Sequence, residues 1–134
     1  MQVIHFTAGA SAPLEAFGAR GIRFLPLAAG PTERDARLSC LHLAPGGRID
    51  ETPHLHDCAL LTVQGRLTLW AEESGGRVDL FAGMGVVLSA GEPAHLESEE
   101  GAILLLVESP QLMATAPGLS TPTQIAGQRW PGEP

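Results

Sequence analysis

Two histidines separated by one residue, His54 and His56, form the part of the sequence best suited to chemistry. Neutral imidazole is a common ligand of zinc, iron, nickel, copper and manganese. In an extended strand, residues i and i+2 project from the same face, so both side chains can reach one ion. Pro53 precedes the pair, which suits the start of a strand. The pattern predicts part of a metal site, although it is also typical of polar residues on a solvated strand face.

A third ligand for the same ion must come from another part of the chain. His95 is the best candidate because it follows the turn sequence SAGEPAH, whereas His42 has a different strand register and His5 lies in the less patterned N-terminal region. Three neutral histidines leave a divalent ion its full charge, which favours an anionic ligand or a water of lowered pKa at the open positions. The predicted site is His54, His56 and His95 around iron, zinc, nickel or manganese.

Short strands are the elements that must position these histidines. From Gly21 onward, apolar runs alternate with Gly and Pro turns, and spacings of about ten residues predict an antiparallel all-β barrel or sandwich. The intervals are too short for crossover helices, which argues against a parallel sheet. We expect an N-terminal segment over 1–20, a β-barrel over 21–109 and a Pro-rich C-terminal tail over 110–134. The tail is expected to dock on the barrel or on a partner subunit.

Composition excludes several classes of function. The chain has 134 residues, which suits one domain, and a net charge of −7 with no basic run, which argues against nucleic acid and anionic membranes as partners. No apolar run approaches the ~20 residues that span a bilayer, and the N-terminus lacks a secretory pattern. A cytoplasmic location is the expectation. Lys, Tyr and Asn are absent, which excludes Schiff-base lysine chemistry and suggests a GC-rich bacterial genome.

One predicted strand is apolar on both faces. Ile103 to Val107 is aliphatic throughout, so a second sheet, a terminal segment or a partner subunit must cover the face that does not line the interior. We take this pattern as support for a homodimer. The alternative is that the N-terminal residues cover the face within one chain.

The residues around the histidines resemble two motifs of the cupin superfamily. LAPGGRIDETPHLHDCALLTVQGRLTL resembles the first motif and LFAGMGVVLSAGEPAHLESEEGAILLLV the second, and together they cover residues 43–107. The resemblance implies a jelly-roll β-barrel, also called a double-stranded β-helix, of the small single-domain type. It also implies a metal held inside the barrel by the histidines of both motifs and a glutamate of the first. His54, His56 and His95 match the histidines, and the matching motif glycines are Gly47, Gly65, Gly83 and Gly91.

The departures from the first motif leave two alignments open. His56 and Gly65 are nine positions apart, two fewer than in the family pattern. In one alignment, the turn after His56 has lost two residues. In the other, every spacing is intact, Thr52 and His54 occupy the histidine positions, and Cys58 occupies the glutamate position.

The second motif also departs from the family pattern. Ser89 stands where it has proline, and His95 lies one residue later than the usual spacing after Gly91. In either alignment of the first motif the glutamate is missing, and Cys58 is a candidate additional ligand. Cupin-like thiol dioxygenases also lack the glutamate and use three histidines.

The resemblance leads to one functional hypothesis and two alternatives. The hypothesis is a metal-dependent oxidoreductase, dioxygenase-like, acting on or binding a small and preferably anionic molecule. The first alternative is a non-catalytic cupin with a degenerate site that binds a small ligand or a metal. The second is a barrel filled by Leu side chains that works through its dimer surface.

A few other side chains near the histidines could contribute to a site. Arg48 and Arg66 could orient an anionic substrate, although exposed arginines at strand ends are common. Trp70 could line a pocket, but we expect it in the core. The nearby carboxylates are expected to be solvated loop residues; they are Glu51, Asp57, Glu97 and Glu99.

Overall fold

The residues that the structure describes form eight antiparallel strands. The structure is a computed structural model, and it describes residues 1–32, 34–50, 56–71 and 76–115. After a short 3-10 turn at Ala8–Ala10, the strands are β1 (Ala12–Pro13), β2 (Arg20–Ala29), β3 (Arg37–Ile49), β4 (Asp57–Ala71), β5 (Gly76–Phe81), β6 (Gly85–Leu88), β7 (Ala94–Ser98) and β8 (Ala102–Ser109). All pairings among them are antiparallel, which confirms the predicted all-β barrel. No helix within the described ranges is long and apolar enough to cross a membrane.

Two long strands bend and divide the barrel into two sheets. The first part of β3 pairs with β2 and β8, and its end pairs with β7. The first part of β4 pairs with β6 and β8, and its end pairs with β5 and β7. We call the sheet of β1, β2, β3, β8, β4 and β6 sheet I, and the sheet of β3, β7, β4 and β5 sheet II. β4 bends at a register shift between Thr62 and Gln64, followed by Gly65 at φ 83°.

The inner faces of the two sheets carry aliphatic side chains. Sheet I contributes Leu41, Leu43, Leu60 and Leu104, and sheet II contributes Leu67, Leu69, Leu80 and Leu96. They belong to one buried cluster, and burying each leucine stabilises the fold by about 2 kcal/mol. Because aromatic residues make up only 4% of the chain, leucine supplies most of the core.

The outer face of sheet I is covered in one half and open in the other. Near β2 and β3, the carbonyl of Phe6 accepts a hydrogen bond from Nε2 of His42 at 2.9 Å, and the neighbouring Cys40 is fully buried. On β4 and β6, Leu61, Val63 and Val87 remain 42%, 43% and 38% exposed. The N-terminal segment therefore covers part of the apolar face, as one of the two sequence alternatives expected, and leaves the remainder uncovered.

Gly65→Ala should destabilise the fold more than Gly83→Ala. Both glycines have positive φ, which costs an alanine about 1 kcal/mol. A Cβ on Gly65 would also collide with the carbonyl oxygen of Gly101 and lie 2.9 Å from the Cα of Ala102, whereas a Cβ on Gly83 meets nothing within 4 Å. We expect the free energy of unfolding in urea to fall by about 3 kcal/mol or more for Gly65→Ala and by about 1 kcal/mol for Gly83→Ala. Equal losses would contradict the close approach of β4 and β8.

Candidate functional site

The direction of His95 follows from the alternation of side chains along β7. Ala94 and Leu96 face the interior, with exposures of 0% and 1%, and belong to the core cluster. His95 lies between them and therefore projects from the outer face of sheet II. Its cross-strand neighbour is Trp70, while Leu96 is paired with Leu69 of the core. The expected projection of His95 into the barrel is not what the structure shows.

His95 is nevertheless buried, with 2% exposure. Its ring meets the Trp70 ring edge-on with the centroids 5.2 Å apart. Nδ1 lies 3.8 Å from a carboxylate oxygen of Asp50, and Nε2 lies 3.6 Å from one of Glu97. Both separations exceed hydrogen-bond distance, but two carboxylates this close place the imidazole in a negative potential. The surroundings are those of a histidine packed under a polar surface.

Cys58 occupies an inward position on β4. It is buried in the core cluster, and burial raises the pKa of its thiol to about 12, with the negative charges of Glu108, Glu92 and Asp57 raising it further. The thiol is therefore neutral at neutral pH, and it packs as a small apolar side chain.

The carboxylates near Cys58 hold turns in place. Asp57 accepts hydrogen bonds from the backbone N–H of Ala90 at 2.8 Å and of Leu112 at 2.9 Å. Glu92 accepts one from the N–H of Ser89 at 3.1 Å. These contacts join the start of β4 to the turn before β7 and to the chain after β8. Sequence reasoning did not single out Glu92, and its position three residues after Ser89 is the signal that could have found it.

The predicted metal ligands are described only in part. His54 lies in 51–55, outside the described residues, and His56 is half-buried just before β4. Within the parts of the chain that the structure describes, no three His, Cys, Asp or Glu side chains are grouped to hold a metal ion. The described inward residues do not fit a histidine-held metal in the barrel, because an alanine and a protonated thiol offer no strong ligand. The complete three-histidine set stays a prediction.

The inward residues agree with the alignment that keeps every spacing intact. That alignment places Cys58 at the glutamate position, and Cys58 faces the interior. In the second motif, the intact spacing after Gly91 reaches Ala94, which also faces the interior. The remaining positions of that alignment, Thr52 and His54, fall outside the described residues.

The outer face of sheet II carries a polar network. Asp79 accepts a hydrogen bond from the hydroxyl of Thr68 at 2.8 Å and pairs with Arg66 at 3.3 Å and with Arg77 at 3.4 Å. The Arg77 guanidinium lies 5.7 Å from the centre of the Trp70 ring. Trp70 is half-buried on this face, so the expectation that it fills the core is wrong.

A small cavity of about 160 Å³ opens within this network. Its lining includes Arg66, Thr68, Trp70, Arg77 and Glu97. Small-molecule sites usually have volumes of roughly 300–1,000 Å³, so the cavity is below that range. Arg66 is committed to Asp79, which favours a structural role for it over the orientation of a substrate.

Comparison with known proteins gives no match to a family model and none to the curated proteins. The fold is similar to the polyketide cyclase RemF from Streptomyces resistomycificus, at 18% identity and a TM-score of 0.69, over 83% of this chain and 80% of that chain. It is also similar to an acetylacetone dioxygenase from Acinetobacter johnsonii, at 13% identity and a TM-score of 0.68, over 81% and 74%. A third similar structure is a cupin superfamily protein from Desulfitobacterium hafniense, at 17% identity and a TM-score of 0.59, over 67% and 78%. At these identities the likeness establishes the fold.

Asp79→Asn should reduce stability at neutral pH and have little effect in acid. Burial alone would raise the pKa of Asp79, but the hydrogen bond from Thr68 and the charges of Arg77 and Arg66 outweigh it and hold the pKa below its usual value. A carboxyl whose pKa is lowered by folding stabilises the fold at pH values above its unfolded-state pKa, which is near 3.9. This stability is lost as the pH falls through the folded-state pKa. We expect Asp79→Asn to cost on the order of 1 kcal/mol at pH 7.

Urea denaturation of both proteins from pH 7 to pH 2.5 measures this difference. Asp35→Asn is the matched control, because Asp35 bonds to Thr32 without an arginine partner among the described residues. A difference between Asp79→Asn and the parent that stays constant with pH would contradict the assignment.

Proposed function

This chain has the fold of the cupin superfamily, and from that premise we propose that its barrel interior binds a small molecule without the help of a metal held by histidines. The observation that carries the proposal is the fully buried Ala94, which occupies the position that the family's usual spacing after Gly91 gives to the second-motif histidine. His95, the residue after it, projects to the opposite face. An inward methyl group provides no ligand for a metal.

An inward hydroxyl supports a role in ligand binding. Thr62 is buried on the same face of β4 as Cys58 and Leu60, and its Oγ1 has no hydrogen-bond partner within the described residues. A buried hydroxyl without a partner costs about 1–3 kcal/mol, and a polar ligand atom would offset that cost. Without the charge of a metal, the carboxylates near Cys58 disfavour an anion. A neutral small molecule is therefore the ligand class for the interior.

A metal-dependent, dioxygenase-like enzyme is the second candidate function. It is favoured by the pair His54 and His56 and by the dioxygenase and the polyketide cyclase among the similar folds. On this candidate, the two histidines would hold a divalent transition metal, and His95 would have to join them from the outer face. A cytoplasmic location fits both candidates and remains a proposal.

Metal content distinguishes the two candidates. After loading with iron, nickel, zinc or manganese and removal of excess, we expect the parent to retain less than about 0.1 equivalent by plasma mass spectrometry. The double variant Cys58→Glu, Ala94→His places a carboxylate and an imidazole at the two inward positions and should retain close to one equivalent. Cys58→Gln, Ala94→Gln is the matched control of similar bulk, and circular dichroism verifies folding of both.

The opposite result would support the second candidate. If the parent retains about one equivalent and His95→Ala abolishes it, then the three-histidine site exists and the proposal is wrong. If the parent binds no metal and the double variant folds but gains none, then residues 58 and 94 are not the ligand positions and the alignment is wrong.

A homodimer is proposed from the uncovered apolar half of sheet I. Leu61, Val63 and Val87 form an exposed aliphatic patch there, and such patches are typical of subunit interfaces. Leu61→Glu should shift the protein from dimer to monomer in light scattering, because a carboxylate cannot be buried there unpaired. Phe81→Glu is the control, since Phe81 is exposed to a similar extent and packs against Arg66 on sheet II. A monomeric parent, or a monomeric Phe81→Glu, would contradict this interface.

A further inference from the structure

A row of four cross-strand neighbours crosses the outer face of sheet I at its corner. Arg23 of β2 is paired with His42 of β3, His42 with Ile103 of β8, and Ile103 with Gln64 of β4. Adjacent strands are about 4.8 Å apart, so the row is roughly 14 Å long. It forms the floor of a cavity of about 730 Å³, which falls within the usual range of ~300–1,000 Å³ for small-molecule sites. We call this cavity the corner groove.

Among the described residues, the guanidinium at one end of the corner groove has no acidic partner. Nε of Arg23 donates to the Ser11 hydroxyl at 2.9 Å, and Nη2 donates to the Ser11 carbonyl. No ion pair within the described residues involves Arg23, although the chain carries a net charge of −7. A guanidinium has five N–H donors, and the contacts to Ser11 use two of its three nitrogens. The N-terminal segment therefore orients Arg23, and no ion pair in the described part of the chain compensates its charge.

The imidazole beside Arg23 is also oriented by the N-terminal segment. His42 Nε2 lies 2.9 Å from the carbonyl oxygen of Phe6, and because a carbonyl can only accept, Nε2 carries the hydrogen. This leaves Nδ1 as the ring nitrogen available to a ligand. The charge of Arg23 makes this end of the groove electropositive.

The rest of the corner groove is apolar and ends at a carboxylate. Pro13 and Leu14 line it, and Ile103 lies in the middle of its floor. Glu100, in the turn before β8, lines it together with Gln64. The lining is therefore positive at the Arg23 end, aliphatic in the centre and acidic where Glu100 contributes.

We propose that the corner groove binds an amphipathic monocarboxylate. Its carboxylate pairs with Arg23 and its aliphatic body lies over Ile103, with its uncharged end near Gln64 and Glu100. Guanidinium is the preferred protein partner of a carboxylate because its donors match both oxygens. Glu100 repels a second negative charge, so a dicarboxylate of equal length is rejected. This site lies outside the barrel interior and does not rest on the function proposed above.

Isothermal titration of the full chain with octanoate, octanedioate and 1-octanol tests the proposal. The eight-carbon chain is roughly 10 Å long and fits the row. Octanoate should bind at one site per chain, with octanedioate and octanol at least about tenfold weaker. Arg23→Gln should lose about tenfold or more in octanoate affinity, while Arg37→Gln, an exposed arginine at the start of β3, should not change it.

Glu100→Gln provides a variant that leaves the contacts of Arg23 with Ser11 intact. It should raise the affinity for octanedioate to within about threefold of that for octanoate and leave octanoate itself unchanged. Equal binding of octanol and octanoate, or equal losses in Arg23→Gln and Arg37→Gln, would overturn the proposal. The absence of octanoate binding would also overturn the proposal. So would binding that appears only when light scattering shows the monomer, because a second copy of the chain then occupies the groove in the dimer.

Discussion

The alternation of side chains along β7 decides which groups can reach the barrel interior. A strand residue and its neighbour point to opposite faces, so moving a side chain by one position exchanges inside for outside. Ala94 and Leu96 are inward, and His95 is therefore outward, regardless of how favourable an interior imidazole would be for chemistry. Rotating the strand to bring His95 in would expel Leu96 from the core and bury Glu97 as well. Aliphatic packing thus determines which side chains face the interior, and it fixes the outward direction of His95.

Because the interior is aliphatic, the charged residues must make their contacts on the outer faces. A charge buried without a partner costs several kcal/mol, and on the outer face of sheet II Asp79 joins Arg66 and Arg77. Sheet I has a largely apolar outer face instead, with Arg23 at its corner. The two sheets therefore differ in what they offer a partner: sheet II carries a network of ion pairs, and sheet I exposes aliphatic side chains and Arg23, which forms no ion pair among the described residues.

The strands could be predicted from the sequence because alternation and turns are local signals. The same alternation also predicts the direction of Trp70: in RLTLW it shares a face with Arg66 and Thr68, and only Leu67 and Leu69 face the core. Likewise, the sequence shows one extra residue between Gly91 and His95. Because successive side chains of a strand point to opposite faces, this offset turns the His95 side chain from the interior to the outer face. The row from Arg23 to Gln64 could not be predicted, because its four members come from four strands whose register depends on the shift between Thr62 and Gln64.

The corner of the barrel links the packing of the fold to the surface outside it. Gly65 and Gly101 have positive φ, and the absence of a side chain on Gly65 lets β4 approach the backbone of β8 at Gly101 and Ala102. This approach sets the pairing of Gln64 with Ile103 immediately beside it, and Ile103 is in turn paired with His42. The same bend that carries β4 from sheet I to sheet II therefore aligns the floor of the corner groove. A feature needed to close the barrel therefore also positions the side chains of a groove on its exterior.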